Sequence, residues 1–262
     1  MSARGKRQAL VTGLRGTLAP VLARALEAAG WQVQGWDRAQ VPPGDIVAAE
    51  RFLVDTRLDA IFHLATGDAA WAAMLGRCAR SRGVPLVFTS TAMVFDAQPD
   101  GPYGPDAPRT AREPYGQGKI ACEDVLRQAC PSAWIARLGW QIDAQAPGNN
   151  MLRALDDWQA REGRVAASRR WRPACSFMAD TVQALIEVAE RPVGARGGVV
   201  HLDSNATEAW RFDQIAEALA QACGRTQWRV EAVDGHANDQ RLVGGDLLLP
   251  PLSLRLPGLR GA

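Results

Sequence analysis

"QALVTGLRGTLAPVLARALEAAG", residues 8–30, decides the fold. QALVT is a short apolar run that reads as a buried strand. A turn with two glycines follows. LAPVLARALEAAG then has helical spacing, with Pro20 in its first turn and Gly30 just past its end. Residues 11–19 give T-G-x-x-G-x-x-A, and its position gives the pattern meaning. Gly13 allows the tight turn, Gly16 lets the backbone approach a pyrophosphate, and Ala19 keeps the helix close to the sheet. Thr17 and Leu18 stand where the free N–H groups and positive dipole end of a helix attract phosphate. In this strand–turn–helix setting the motif predicts a dinucleotide site; a purely structural turn is the competing reading.

The next strand, WQVQGW (31–36), ends at Asp37, 24 residues after Gly13. Asp37 in that place could hold both ribose hydroxyls, which favours NAD. Arg38 follows it and Arg15 lies inside the glycine turn; either could pair with the 2′-phosphate of NADP, or both could be solvated surface charges. The cofactor expectation is therefore NADP or NAD.

Downstream the alternation continues. Asp45 is placed to cap a helix over 46–56. AIFHLA (60–65) reads as a strand, AAWAAMLGRCARSRG as a helix stopped by Gly83, and PLVFTST (85–91) as a strand. Residues 97–112, rich in Pro, Asp and Gly, read as a loop. A helix over about 116–130 and a strand AWIARLG (133–139) follow. Strands that are apolar throughout, alternating with helices, predict an α/β protein with a Rossmann-like, doubly wound parallel sheet covered on both faces.

After Gly139 the pattern loosens. Helices are expected around 149–162 and over 179–190, with a strand VVHL (199–202). TEAWRFDQIAEALAQACG reads as a capped helix stopped by Gly224, and a strand WRVEAV and a proline-rich tail close the chain. The expected organisation is a dinucleotide-binding domain over 1–140, with 176–202 packing back on it. A smaller C-terminal substrate-binding lobe would comprise 141–175 and 203–262.

At 262 residues the chain is long enough for a proper core. Its formal net charge of +2, with arginines spread among carboxylates, argues against nucleic acid or an anionic membrane as partner. Five scattered cysteines without C-x-x-C, and three distant histidines, argue against a metal site and a disulfide framework and fit a reducing cytoplasm. No apolar stretch reads as a signal peptide or a membrane span.

One further stretch, EPYGQGKIACE (113–123), places Tyr115 four positions before Lys119, in a chain with only two tyrosines and two lysines. Spacing alone leaves two readings: a packed tyrosine beside a solvated helix charge, or a catalytic pair on one helix face. Hydride transfer to a ketone leaves negative charge on oxygen, so a proton donor must sit beside it. A free phenol has a pKa near about 10, and a nearby ammonium would bring it down.

Taken together, TGLRGTLA, FHLAT, FTSTAMVFD, Y-x-x-x-K and RLGW come in the order found in the extended short-chain dehydrogenase/reductases. The chain resembles that family, and within it most of all the dTDP-4-dehydrorhamnose reductases. STAMVFD and PYGPDAPRTAREPYGQGK resemble their approach to the catalytic tyrosine, and RLGW their strand end. The resemblance is clear over 8–140 and fainter beyond.

It implies an NAD(P)H-dependent reductase of a nucleotide-linked 4-keto-6-deoxysugar. Tyr115 would give the proton, Lys119 would tune it and grip the ribose, and Thr91 would hold the carbonyl oxygen. Ser90 is disfavoured for that role because strand alternation points it the other way. By resemblance, Leu64, Ala65 and Thr66 would line the cofactor groove, and Asp45 and Ile46 would lie near the adenine. Trp140, Trp171 and Arg172 could contact a nucleotide base or diphosphate of the substrate; the competing reading is two core tryptophans and a surface arginine. An NAD-dependent epimerase and a non-catalytic NAD(P)-binding regulatory subunit stay open as alternatives. A homodimer is compatible with the family. His63, inside an apolar strand, is expected to be a satisfied core residue.

Two departures stand out. The third strand of the family is hard to find between Asp37 and Asp45, where RAQVPPG stands instead. The segment after FHLAT is short and lacks the family's asparagine. Ala92 and Met93 replace the acidic pair that sugar-nucleotide 4,6-dehydratases carry, which argues against that dehydration chemistry.

Overall fold

A computed structural model describes residues 6–97, 99–192 and 197–259. The glycine turn sits as its sequence predicts, between β1 (Gln8–Thr12) and α1 (Ala19–Ala28). Pro20 occupies the first turn of α1, and Gly30 follows it with φ +84°, a left-handed conformation that glycine adopts without a Cβ penalty. β2 (Gln32–Gly35), α2 (Ile46–Asp55), β3 (Ala60–His63), α3 (Ala69–Arg82) and β4 (Leu86–Thr91) continue the alternation. Asp45 caps α2 by accepting from the Ala48 N–H at 3.0 Å, and Gly83 ends α3 in the left-handed region.

After β4 a single turn of 3-10 helix, Ala92–Val94, leads into the long loop and then α4 (Pro114–Ala129). β5 (Trp134–Leu138), β6 (Trp140–Ile142), α5 (Met151–Glu162), β7 (Val165–Ser168), β8 (Trp171–Arg172) and β9 (Cys175–Phe177) come next. α6 (Met178–Glu190), β10 (Gly198–Leu202), α7 (Phe212–Ala222), β11 (Val230–Val233), β12 (Asn238–Asp239), α8 (Leu252–Arg255) and a 3-10 turn, Pro257–Leu259, follow.

Six strands form one sheet in the order β10-β5-β4-β3-β1-β2. β1 pairs in parallel with both β2 and β3, and β3 with β4. β3 and β4 are buried at every position, as strands covered on both faces must be. The sheet is a Rossmann-like one, of mostly parallel strands with flanking helices. No helix of the described residues is long and apolar enough to cross a membrane.

The sheet ends at β2, with no third strand beyond it among the described residues. RAQVPPG folds as successive turns: the Gln40 and Val41 N–H groups donate to the Asp37 carbonyl, and the Asp45 N–H to the Pro42 carbonyl. Pro42 and Pro43 lack the N–H that a strand ladder needs. Trp36 takes over the covering role. Its ring packs edge-on against Phe52 and Trp71, and its Nε1 donates to the Val41 carbonyl at 2.8 Å.

The chain divides into two compact units. One holds residues 1–90, 117–136 and 182–199; the other holds 91–116, 137–181 and 200–262. The first has a core built on Leu10, Ile61, Trp71, Leu75, Phe88 and Leu126. The second has its own core on Ile142, Leu155, Cys175, Phe212, Ile215 and Leu252. The arginine-rich SRRWRPACSF runs from the last residue of β7 through the short strands β8 and β9, and the partners of these strands are distant in sequence. β6 pairs with β9, β7 with β11 and β8 with β12, all in parallel. Asp203, fully inside this unit, accepts from the N–H groups of Cys175, Asn205 and Leu242. Burial pushes its carboxyl up to about 7 against the pull of those three donors.

The helix expected to begin near Thr207 starts later, at Phe212. Ala209 lies at φ +58°, which no right-handed helix accommodates. The Asn205 side chain folds the preceding segment by bonding both the N–H and the carbonyl of Trp210, at 2.8 and 2.9 Å. Gln214 then reaches back to the Arg211 N–H at 3.1 Å, so capping is present but four residues on from the expected start.

Candidate active site

Thr12 closes β1 against β3. Its hydroxyl oxygen accepts from the N–H groups of Leu64 at 3.1 Å and Ala65 at 3.0 Å, and lies 2.8 Å from His63 Nδ1. With both amides donating to it, the hydroxyl proton goes to Nδ1. Nε2 of His63 is buried without a partner, so this histidine is only half satisfied, contrary to the sequence expectation. Burial, then the nearby Lys119, lowers its pKa to about 3, which makes it a neutral ring. It packs edge-on to Trp71, with ring centroids 4.8 Å apart.

Gly13 follows Thr12 at φ +86°, and a Cβ there would lie 2.9 Å from the Ala65 nitrogen. The Gly16 N–H donates to the Gly13 carbonyl at 2.7 Å, which sets the tightness of the turn. Leu18 at the start of α1 has no side-chain acceptor to cap the helix. This cradle, which a Cβ would fill and which opens on a helix N-terminus, fits the pyrophosphate of a dinucleotide.

Asp37 and Arg15 meet beside it, Oδ1 to Nη2 at 3.1 Å, and Asp37 also accepts from the Ala39 N–H. Arg38 donates to the Thr66 carbonyl at 3.3 Å, with its guanidinium carbon 5.7 Å from the centroid of the Trp71 ring. Such exposed pairs contribute little to stability and exchange readily for a ligand's polar groups. Asp45 spends its carboxylate as the α2 cap, and Ile46 beside it is 59% exposed.

At the end of β4, the Thr91 hydroxyl oxygen accepts from the Met93 N–H at 3.2 Å and is hydrogen-bonded to the Tyr115 phenol. Tyr115 is 44% exposed at the start of α4. Burial raises its pKa above the ordinary value, and the bond with Thr91 opposes that. The lowering expected from Lys119 is therefore not what sets this phenol's acidity. Lys119 is buried; its Nζ donates to the Thr89 carbonyl at 2.7 Å and lies 4.7 Å from the Phe88 ring centroid. Burial lowers its pKa to about 8, while Cys122 and Glu123 act in the opposite direction. The Ser90 hydroxyl donates to Glu123 Oε1 at 2.6 Å.

The two glycines of α4 differ. A Cβ at Gly116 would fall onto the Met93 carbonyl and lie 2.6 Å from the Ala111 Cβ; one at Gly118 would meet nothing within 4 Å. Close approach is needed at Gly116, and to the loop after β4. Gly116→Ala is expected to cost about 1–3 kcal/mol. Gly118→Ala is expected to add about 0.5–1 kcal/mol by reducing unfolded-chain entropy. Thermal melts of the two variants read the difference in sign directly.

Trp140 and Arg172 lie in the second unit. Trp140 packs on the core there, with its ring 6.1 Å from Trp171 and 6.3 Å from Phe212. Arg172 is half-buried on β8, its carbonyl accepting from the Gln240 N–H. Glu123 was missed by sequence reasoning. Its place four residues after Lys119, on the same helix face, was the signal that could have found it.

Residues 68–242 match the family described as RmlD substrate binding domain. A dTDP-4-dehydrorhamnose reductase of Mycolicibacterium smegmatis is 26% identical over 236 residues, covering 84% of this chain and 71% of that protein. Among solved structures, the dTDP-4-dehydrorhamnose reductase of Bacillus anthracis in complex with NADP superposes with a TM-score of 0.77. It is 17% identical, and the match covers 97% of each chain. The Bordetella bronchiseptica enzyme WbmH in complex with NAD+ gives a TM-score of 0.76 at 18% identity, covering 97% of this chain and 96% of that one. At these identities the structural likenesses establish the shared fold.

Proposed function

The chain belongs to the RmlD substrate binding domain family, and from that premise we propose that it is an NAD(P)H-dependent oxidoreductase of the extended short-chain dehydrogenase/reductase type that reduces a nucleotide-linked 4-keto-6-deoxysugar. One observation carries this reading: the Tyr115 phenol bonded to the Thr91 hydroxyl at the end of β4, with buried Lys119 one turn along the same helix. A purely binding protein has no chemical use for that set.

A bound reduced nicotinamide supplies the hydride. Gly13, Gly16, Thr17 and Leu18 hold its pyrophosphate, with Leu64, Ala65 and Thr66 lining the groove. Asp37 takes the adenosine ribose hydroxyls, and Arg15 and Arg38 supply positive charge for a 2′-phosphate, so the site suits NADP or NAD. Asp45 and Ile46 flank the adenine. Thr91 donates a hydrogen bond that orients the substrate carbonyl. Tyr115 gives its proton to the oxygen as charge develops there. Lys119 stabilises the phenolate left behind and holds the nicotinamide ribose. In this reading residues 1–140 and 176–202 serve the dinucleotide. Residues 141–175 and 203–262 serve the sugar nucleotide, Arg172 among them, and Trp140 joins them from just before that lobe.

The test is cofactor oxidation with dTDP-linked and UDP-linked 4-keto-6-deoxysugars, run with NADPH and with NADH. Tight cofactor binding without turnover on that panel would leave the non-catalytic reading. Interconversion of nucleotide sugars without net cofactor oxidation would leave the epimerase.

The pH profile is a separate expectation. Lys119 acts as the ammonium, and its pKa is lowered to about 8 by burial. The cation is present below that value and lost as pH rises through it. Tyr115, pushed above its ordinary value, keeps its proton over the same range. kcat/KM for reduction is expected to be level towards neutrality and to fall about tenfold per unit on the alkaline side. A profile flat up to pH 10, the phenol's ordinary value, would remove the ammonium from the mechanism.

A further inference from the structure

Glu123 closes the stretch EPYGQGKIACE and has no part in the proposed reaction, yet its side chain is completely buried. A carboxyl withdrawn from water is costly unless it is partnered. Its Oε1 accepts from the Ser90 hydroxyl at 2.6 Å, and Arg127 Nη2 lies 3.9 Å from its Oε2. Ser90 is the residue between Thr89, whose carbonyl takes Lys119, and Thr91, which bonds Tyr115. Tyr115, Lys119 and Glu123 follow each other at intervals of four along α4, on one face. Each is tied to one of three consecutive residues of β4.

We infer that Glu123 is a positioning residue for Lys119: through Ser90 it fixes the turn of α4 that carries the lysine against β4, and as the buried carboxyl on that face it keeps the ammonium charged. Among the groups that bear on Lys119 are His63 from β3 and Cys122 and Glu123 from α4. His63 is a neutral ring. Cys122 would favour the ammonium only as a thiolate, and burial pushes its thiol above the ordinary value, so it is uncharged at neutral pH. Glu123 acts against the burial that draws the proton off Lys119. Its catalytic consequence rests on the reductase reading; its hold on the lysine does not.

The chain has two lysines, Lys6 and Lys119, so isotope-labelled lysine gives two side-chain signals by NMR. Full-length wild type, Glu123→Gln and Ser90→Ala are titrated with pH, and folding is checked by circular dichroism. Glu123→Gln preserves an acceptor for Ser90 and removes the charge. The Lys119 midpoint is expected to fall by about one unit in Glu123→Gln, and by less in Ser90→Ala, with Lys6 unmoved. The alkaline limb of kcat/KM is expected to move with it. An unchanged midpoint in folded Glu123→Gln overturns the inference. So does failure of both variants to fold, which would make Glu123 a structural residue only. A lowered midpoint in a chain that reduces no 4-keto sugar nucleotide supports the inference and removes only the reductase reading.

Discussion

Tyr115→Phe is expected to lower the rate of sugar reduction by about 10²–10⁴-fold while leaving cofactor affinity within about twofold. Phenylalanine keeps the ring and removes the one proton that can be delivered. It also frees the Thr91 hydroxyl, which keeps its contact with the Met93 N–H. The side chain is 44% exposed, so stability is expected to stay within about 0.5 kcal/mol of wild type. Single-turnover cofactor oxidation reads the chemical step, and quenching of tryptophan fluorescence reads cofactor binding. A variant retaining a tenth or more of the wild-type rate would mean that another group, or water, gives the proton. The raised pKa of this phenol sharpens the experiment. Tyr115 is fully protonated at neutral pH, as a donor should be. The hydrogen bond from Thr91 already pulls its pKa down against burial.

Gly13→Ala is expected to damage both the fold and the cofactor site. Two costs combine. The residue lies at φ +86°, where a Cβ is strained. That Cβ would also stand 2.9 Å from the Ala65 nitrogen, 3.1 Å from its Cα and 3.2 Å from the Leu64 carbonyl carbon. All three are backbone atoms, held in place by Thr12, so the end of β3 has to shift and the Thr12 hydrogen bonds loosen. The expected loss is about 3 kcal/mol of stability, with a Tm lower by about 5–10 °C. Cofactor affinity is expected to fall at least about tenfold, because the pyrophosphate cradle opens. Gly30→Ala is the control. Its φ is +84°, but nothing lies within 4 Å of the added Cβ, so it should cost about 1 kcal/mol and leave cofactor binding alone. Equal melts and equal cofactor titration curves for the two variants would show that the close approach at Gly13 is unimportant.

Much of the first half was legible because its signals are local. A strand that alternates into a helix, a glycine past a helix end and an aspartate before one act within a few residues of themselves. That is how Asp45 as a cap, Gly83 as a stop and Thr91 at the tip of β4 could be read directly. The second half was less legible because its order comes from distant partners. β7 pairs with β11 about sixty residues away, and β8 with β12 likewise. Each of those strands is too short for its own pattern to announce it. The start of α7 was misread for a related reason. Helix propensity runs on through TEAW, but Asn205 and the positive φ at Ala209 hold that segment in a turn.

The sequence alone determined the α/β class and the glycine turn after β1; spacing put Tyr115 and Lys119 on one helix face, and the family resemblance added Thr91 and their expected roles. It could not decide where a side chain that can turn two ways would go. Lys119 could have faced solvent or its tyrosine, and packing sent it inward to Thr89. Gly116 and Gly118 look alike in sequence, and only the Met93 carbonyl lying against one of them tells them apart. Glu123 drew no reading from the sequence, and only the bond from Ser90, thirty-three residues earlier, ties it inside the protein. Local pattern is written in neighbours along the chain. Burial, and the shifts in acidity that follow from it, belong to neighbours in space.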